Sequence, residues 1–242
     1  MRICVAQTNA FKGDIRRNTD AHIKLIEIAA QHHPDLIIFP ELSLTGYEPT
    51  LASELAVQLL DKRLDIFQKI SDSKNITIGT GIPLKNDPRP AISMILFAPH
   101  AARQVYSKKY LHSDEDPFFY SGQSTVGLIG NNHDIALAIC YELSVPEHSK
   151  NAFKNGAKIY VASVAKTTKG VEKAIDRLSE IASTYSMTIL MSNCIGVADG
   201  EICGGRSSVW DDKGTVKDQL DDQAEGFLIL DTESHEVIKE IL

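Results

Sequence analysis

Short apolar runs alternate along the chain with longer stretches whose apolar positions recur at helical spacing. Runs of four to eight apolar residues read as strands and amphipathic stretches as helices, so the alternation predicts strands joined by helices. Residues 2–7 are expected to form a strand, roughly 17–31 a helix, and Leu36 to Phe39 a strand ending at Pro40 and Glu41. A second helix is predicted over roughly 52–71. Strands near 76–83, 91–98, 103–108 and 125–129 follow it, and four in succession imply hairpins in the middle of the fold.

The stretch from Asp134 to Ile139 is apolar at nearly every position, as expected of a strand covered on both faces, and Cys140 stands at its carboxyl end. Ser144 and Pro146 then signal a helix start and Gly156 its stop. A strand at 158–165, a helix at roughly 170–186 and strands near 188–194, 206–210 and 226–231 complete the pattern. Turns are marked by Gly204-Gly205 and Asp212-Lys213-Gly214. The pattern predicts one α/β domain over residues 1–242, with two sheets and helices outside them. No stretch reads as a linker, a repeat or a low-complexity segment.

Composition narrows the function. With 43% hydrophobic and 24% charged residues among 242, the chain can bury a large core without disulfides or metal. A formal charge of −7 with scattered basic residues argues against a nucleic-acid or acidic-membrane surface, which needs clustered Lys and Arg. Met1 and Arg2 lead straight into Ile3, Cys4, Val5 and Ala6, a start unlike a secretory signal, and no apolar run approaches the ~20 residues of a membrane span. Cytoplasmic residence is the expectation. Cys4, Cys140, Cys194 and Cys203 lack metal-ligand spacing and are expected to be free thiols.

Open α/β sheets place their sites beyond the carboxyl ends of strands, where this chain puts Glu41, Lys108 and Cys140. A thiol at a strand-to-helix elbow is favoured as an anion by the amides of the helix start, and a nearby carboxylate can take its proton and later protonate a leaving amine. Lys108 and the backbone amide of Tyr141 are candidate donors to a developing oxyanion. Histidine is the more usual partner of a catalytic cysteine. His133, seven residues before Cys140 at the other end of its strand, is badly placed, whereas His148 in the first turn of the next helix is a genuine rival and His112 is not excluded. His22, His32, His33, His100 and His235 are expected at the surface.

The ordered set Glu41, Lys108, Cys140 and its flanks resembles the nitrilase superfamily of carbon-nitrogen hydrolases. Leu36-Ile37-Ile38-Phe39-Pro40-Glu41-Leu42, with Thr45-Gly46-Tyr47 after it, is similar to the first motif of that family. Tyr106-Ser107-Lys108-Lys109-Tyr110-Leu111 is similar to the second and selects Lys108 over Lys109. Ile139-Cys140-Tyr141-Glu142, then Pro146-Glu147 and Gly156-Ala157, resembles the third. Asn193 to Gly196, Gly205-Arg206-Ser207, Asp211 and Gly214 match the late strands.

The resemblance implies an αββα four-layer sandwich that pairs into a homodimer, and a second glutamate ahead of an aromatic pair and a glycine, matched by Glu115 before Phe118, Phe119 and Gly122. It further implies hydrolysis of a non-peptide C–N bond of a small amide through a thioester on Cys140. Glu41 would be the base, Lys108 and the Tyr141 amide the oxyanion donors, and Glu115 the residue that orients Lys108, with no metal or cofactor. Tyr141 and Glu142 are expected to contact substrate.

The chain departs from the family in two places. Glu142, Leu143, Ser144 and Val145 carry no cation where several members have one, and Cys140-Tyr141-Glu142 differs from the Cys-Trp-Glu of nitrile-hydrolysing branches, so an amide is the preferred substrate. Lys166 follows Ser163-Val164-Ala165 where members usually carry a proline-containing segment, so it can either enter the pocket or face solvent, and solvent is the expectation. A Cys-His hydrolase using His148 and a catalytically silent binding protein of the same fold are the alternatives.

Overall fold

The architecture was obtained as a computed structural model, which describes residues 1–130 and 132–242. The chain opens with β1 (Arg2–Asn9), α1 (Ile15–Ala29) and β2 (Leu36–Ile38). Two short helices, α2 (Ala52–Leu55) and α3 (Asp65–Lys74), precede β3 (Thr77–Leu84), β4 (Ala91–Phe97) and β5 (Gln104–Ser107). A second group follows: β6 (Gly127–Ile129), β7 (Ile135–Ile139), α4 (Pro146–Lys154), β8 (Ile159–Ser163), α5 (Thr168–Tyr185) and β9 (Thr188–Ser192). The short strands β10 (Cys194–Ile195), β11 (Val197–Ala198) and β12 (Glu201–Ile202) lead to β13 (Ser208–Trp210) and β14 (Val216–Gln219). The last strands are β15 (Gly226–Asp231) and β16 (Val237–Ile241).

One sheet runs β16-β15-β1-β2-β3-β4-β5 and the other β14-β13-β9-β8-β7-β6. Strand alternation explains how they stack, because successive side chains point to opposite faces. Ile3, Val5, Leu36, Ile38, Leu228 and Leu230 pack in the core between the sheets, while Cys4, Ala6, Ile37, Phe39, Phe227 and Ile229 pack toward α1 and α3. Val171, Ala174, Leu178 and Ile181 of α5 cover the second sheet from its far side. The result is the expected αββα layering, with helices outside two mixed sheets.

Several expectations need correction. The helix predicted over 52–71 is two helices, because Val57 is drawn into an extended bridge beside Leu84, its amide donating to the Pro83 carbonyl at 3.1 Å. Asp61 then caps a new turn by accepting from the Arg63 amide at 2.9 Å. The fourth strand of the middle run, β6, leaves its predecessors and pairs antiparallel with β7 in the other sheet. The strands β14 and β16 and the β11–β12 hairpin add to the expected pattern. His22, expected at the surface, is buried: its ring stacks on Phe39 and meets the Asn18 carbonyl at 2.7 Å and Ser43 Oγ at 2.9 Å. Burial lowers its pKa to about 4, so it sits in the core as a neutral ring.

Strand direction brings the candidate residues to one end. β1, β2 and β3 are parallel, and two antiparallel steps through β4 return β5 to the same direction. Glu41 and Lys108 therefore leave the first sheet at one edge. β7, β8 and β9 are parallel in the second sheet, and Ser163 at the end of β8 donates to the Phe39 carbonyl at 2.8 Å. Ser163 is also the register partner of Ile139, the residue before Cys140. This bond holds the Cys140 edge of one sheet against the Glu41 edge of the other.

Candidate active site

Glu41 lies three residues beyond β2, in a turn over which the backbone of β3 passes closely. A Cβ on Gly81 would sit 2.3 Å from the Leu42 amide nitrogen, so only glycine permits that approach. Lys108 follows β5 directly, its amide donating to the Ile92 carbonyl at 2.8 Å. Glu115 comes from the loop that returns across Lys108, where the Gly122 amide donates to the Lys108 carbonyl at 2.7 Å. A Cβ on Gly122 would strike the Ser107 carbonyl at 2.1 Å. The acidic neighbours Asp114 and Asp116 are exposed, whereas Glu115 is 1% exposed.

The three charges form one buried cluster. Lys108 Nζ donates to Glu41 Oε1 at 2.8 Å and to Glu115 Oε1 at 2.6 Å. Glu115 also accepts from Tyr47 Oη at 2.9 Å and, through Oε2, from the His112 amide at 2.8 Å. Glu41 is different: its Oε2 is buried and has no hydrogen-bond partner among the described residues. Lys109, the neighbour of Lys108, contributes only its amide to Glu142 and stays outside the cluster.

Cys140 closes the arrangement at the start of a short helical turn, Cys140–Ser144. Its φ is +44°, a left-handed conformation that costs a non-glycine residue energy and that the surrounding structure must hold in place. Burial pushes the thiol up, the Glu41 carboxylate pushes it further, and Lys166 and Lys108 only partly offset them, so Cys140 rests as a neutral thiol. Burial likewise raises the Glu41 carboxyl, with Lys108 pulling it down and Glu115 pushing it up. For Lys108, burial would lower the ammonium, but Glu41, Cys140 and Glu115 outweigh that and hold it above its ordinary value. Two carboxylates against one ammonium leave the cluster with a formal excess of one negative charge, which opposes a further negative charge on Cys140 while Glu41 is ionised.

Other expected residues fall elsewhere. The carboxylate of Glu142 turns into the protein: Oε1 accepts from the amides of Lys109 at 2.6 Å and Tyr110 at 3.3 Å, and Oε2 from the Ile139 amide and Tyr106 Oη, both at 2.8 Å. It clamps the segment after Lys108 to the Cys140 turn and has no oxygen free for substrate. His148 lies beyond it, Nε2 3.0 Å from Tyr106 Oη and Nδ1 2.8 Å from Tyr160 Oη, with its pKa lowered to about 4 by burial. Both ring nitrogens are occupied, which removes the support for His148 as the thiol's base. His133 is exposed ahead of β7, away from the Cys140 end. His112 is exposed, beside Asp114, with its ring 4.9 Å from that of Tyr141.

Lys166, expected to face solvent, is half-buried and close enough for its charge to act on Cys140. Its peptide is held by Asn193, whose Oδ1 accepts from the Lys166 amide at 2.8 Å. The departure from the family's pattern at Lys166 leaves the pocket open as an alternative to solvent, and the structure favours the pocket side, whereas nothing in the sequence pointed to the Tyr47 hydroxyl on Glu115. Only the position of Tyr47 in a quoted motif could have raised it.

Comparison with known proteins decides the family. The carbon-nitrogen hydrolase family matches the chain over residues 2–239. The chain belongs to that family. Among curated relatives, this carbon-nitrogen hydrolase is 25% identical over 228 residues to the glutamine-dependent NAD(+) synthetase of Thermotoga maritima, covering 89% of this chain and 39% of that protein. The chain thus spans about two-fifths of that relative's length. It is also 22% identical over 218 residues to an (R)-stereoselective amidase of a Pseudomonas species, covering 89% of this chain and 79% of that one.

Among solved structures, a mutant of the amidase from Nesterenkonia sp. AN1 superposes with a TM-score of 0.86 at 22% identity, covering 95% of this chain and 89% of that chain. That structure shows covalent addition of the acetamide moiety of fluoroacetamide at its active-site cysteine. Another mutant of the same amidase, in complex with butyramide, gives a TM-score of 0.86 over 97% of this chain and 92% of that chain at 22% identity. These similarities bear out the expected nitrilase-superfamily membership and its fold. No helix among the described residues is long and apolar enough to cross a membrane.

Proposed function

We propose that the chain hydrolyses the C–N bond of a small primary amide, with Cys140 as nucleophile. The observation that carries this reading is the free, buried Oε2 of Glu41 beside a neutral Cys140 thiol. An unsatisfied buried carboxylate oxygen costs free energy unless something uses it, and the Cys140 thiol, which acts on the Glu41 carboxyl, is the candidate donor. Glu41 takes that proton as sulfur attacks the amide carbon, and Lys108 with the Tyr141 amide supports the oxyanion. Glu41 then gives the proton to the departing nitrogen. Water, activated by the same carboxylate, cleaves the thioester. Glu115 acts through Lys108, and Lys166 adds positive charge beside the sulfur.

Glu142 braces the elbow in this reading, and the whole chain acts as one hydrolase domain. A homodimer remains the expectation from the family. The relatedness to glutamine-dependent NAD(+) synthetases favours glutamine as one amide to test beside simple aliphatic amides. Ammonia release across such a panel, with Cys140→Ala as control, tests the proposal. Intact-mass spectrometry should catch an acyl adduct on the native chain and none on the variant. Undiminished turnover by Cys140→Ala would overturn it, and absence of turnover or adduct across amide, carbamoyl and nitrile panels would favour a silent binding protein.

A further inference from the structure

Two of the four thiols take no part in the proposed hydrolysis, yet they meet each other. Cys194 Sγ lies 2.9 Å from Cys203 Sγ, and both residues are buried, 7% and 3% exposed. Between them the backbone makes the β11–β12 hairpin. Its base is laced by the Cys203 amide donating to the Gly196 carbonyl at 2.8 Å and the Gly205 amide to the Cys194 carbonyl at 3.0 Å. An S–S bond is ~2.05 Å long, so the sulfurs need to close by only about 1 Å while the hairpin stays in place. Two cysteines serving only as small apolar filler have no reason to place their sulfurs in contact.

We propose that Cys194 and Cys203 are a redox-active dithiol that a hydroperoxide converts reversibly to a disulfide in the wall of the active site. Cys203, as thiolate, attacks the terminal peroxide oxygen and the O–O bond breaks. The alkoxide so released takes the proton that Cys203 had given to solvent, leaving a sulfenic acid and an alcohol. Cys194 sulfur then attacks Cys203 sulfur. The S–S bond forms, the S–O bond breaks, and hydroxide leaves as water with the Cys194 proton. Two thiols lose two electrons and the peroxide gains them. The hydrogen bond from Cys194 lowers the Cys203 thiol against the opposing effect of burial, which suits Cys203 to attack first.

The pair borders the segment that carries Lys166. Asn193, next to Cys194, accepts from the Lys166 amide and donates to the Gly205 carbonyl at 2.7 Å, and Gly204, next to Cys203, donates to the Lys166 carbonyl at 2.8 Å. Drawing the sulfurs together pulls on both anchors of a residue whose charge acts on Cys140. Cys140 itself, raised by burial and by Glu41, is the slower thiol toward peroxide.

The test treats the native chain with hydrogen peroxide, labels free thiols with N-ethylmaleimide after denaturation, and maps them by tryptic mass spectrometry. Cys194 and Cys203 share the peptide Leu178 to Arg206. It should appear unlabelled and lighter by two hydrogens, with both labels restored by dithiothreitol, while Cys140 and Cys4 keep theirs. Cys203→Ser should keep its Cys194 label, and Cys194→Ser should stop at an oxidised Cys203 without the two-hydrogen loss of a cross-link. Cross-linking to Cys140, earlier loss of the Cys140 label, or sulfinic acids without a cross-link would overturn the proposal.

The thiol map does not depend on the hydrolase reading. Turnover does: the linked protein should show several-fold lower kcat/KM on an amide, recovered by dithiothreitol, whereas Cys203→Ser should ignore the same peroxide dose. A linked protein with unchanged kcat/KM would overturn the claim that the pair acts on the site.

Discussion

Glu41 and Glu142 are both buried carboxylates packed beside the Cys140 turn, but their oxygens are used differently. Glu142 receives two backbone amides on one oxygen and a backbone amide with a phenol on the other. Glu41 receives one ammonium on one oxygen and nothing from the described residues on the other. A buried carboxylate whose lone pairs are filled fixes geometry, because every donor it holds would be left unsatisfied if it moved. One with an empty oxygen is poised to take a proton. The same residue type, two positions beyond Cys140 and on the facing strand end, serves as brace in one place and as candidate base in the other.

Changing the candidate base should have the largest effect. Glu41→Gln keeps an oxygen for Lys108 but cannot accept the Cys140 proton, so kcat/KM should fall by about 10²–10⁴-fold, the usual worth of a positioned general base. Stability should stay level or rise, since one of two like charges leaves a buried cluster. The pH profile sharpens this further. Burial raises the Glu41 carboxyl. Glu41 must be ionised to act as base, so kcat/KM should climb as pH rises through a pKa above the usual carboxylate range. A rate that is flat there, or an active Glu41→Gln, would end the distinction drawn between the two glutamates.

Glu142→Gln should reverse the pattern. Its amide nitrogen cannot accept from the backbone donors that the carboxylate now holds, and the loss should be about 2–3 kcal/mol of stability, measured by urea unfolding. The surviving folded protein should still form an acyl adduct on Cys140. His148→Gln tests the same cluster from its far side. With both ring nitrogens held by tyrosine hydroxyls, its removal should lower stability and leave kcat/KM within a few-fold of native. Loss of all turnover in His148→Gln, with the fold intact, would restore the Cys-His reading.

What was legible in the sequence follows the same division. Glu41 and Cys140 follow apolar runs that read as strands and Lys108 a mixed run at a strand end, so each was a candidate by position, and the resemblance to the family's motifs is what joined the three into one site. The uses of Glu142 and His148 could not be anticipated, because their partners Tyr106, Lys109, Ile139 and Tyr160 lie on separate elements and meet only through packing. The break in the helix after residue 55 arises in the same way, from a ladder bond between Val57 and Pro83 that no local propensity encodes. His22 was read as a surface residue because histidine on an amphipathic helix usually is one. Its burial depends on Ser43 and Phe39, which a turn after β2 brings over it.

The smallest expected effect lies at the edge of the Glu41 cluster. Tyr47 Oη donates to Glu115 Oε1, the same oxygen that holds Lys108 Nζ. Removing the hydroxyl leaves Glu115 still bound by Lys108 and by the His112 amide, so the carboxylate keeps its place but loses one of three donors. Tyr47→Phe should therefore lower kcat by about 3- to 10-fold, the worth of one hydrogen bond to a charged group acting at second hand. KM should change little if Tyr47 reaches the chemistry only through Glu115 and Lys108. A rise in KM with kcat unchanged would instead make Tyr47 a substrate contact, and the cluster around Glu41 would then include a binding wall as well as a base.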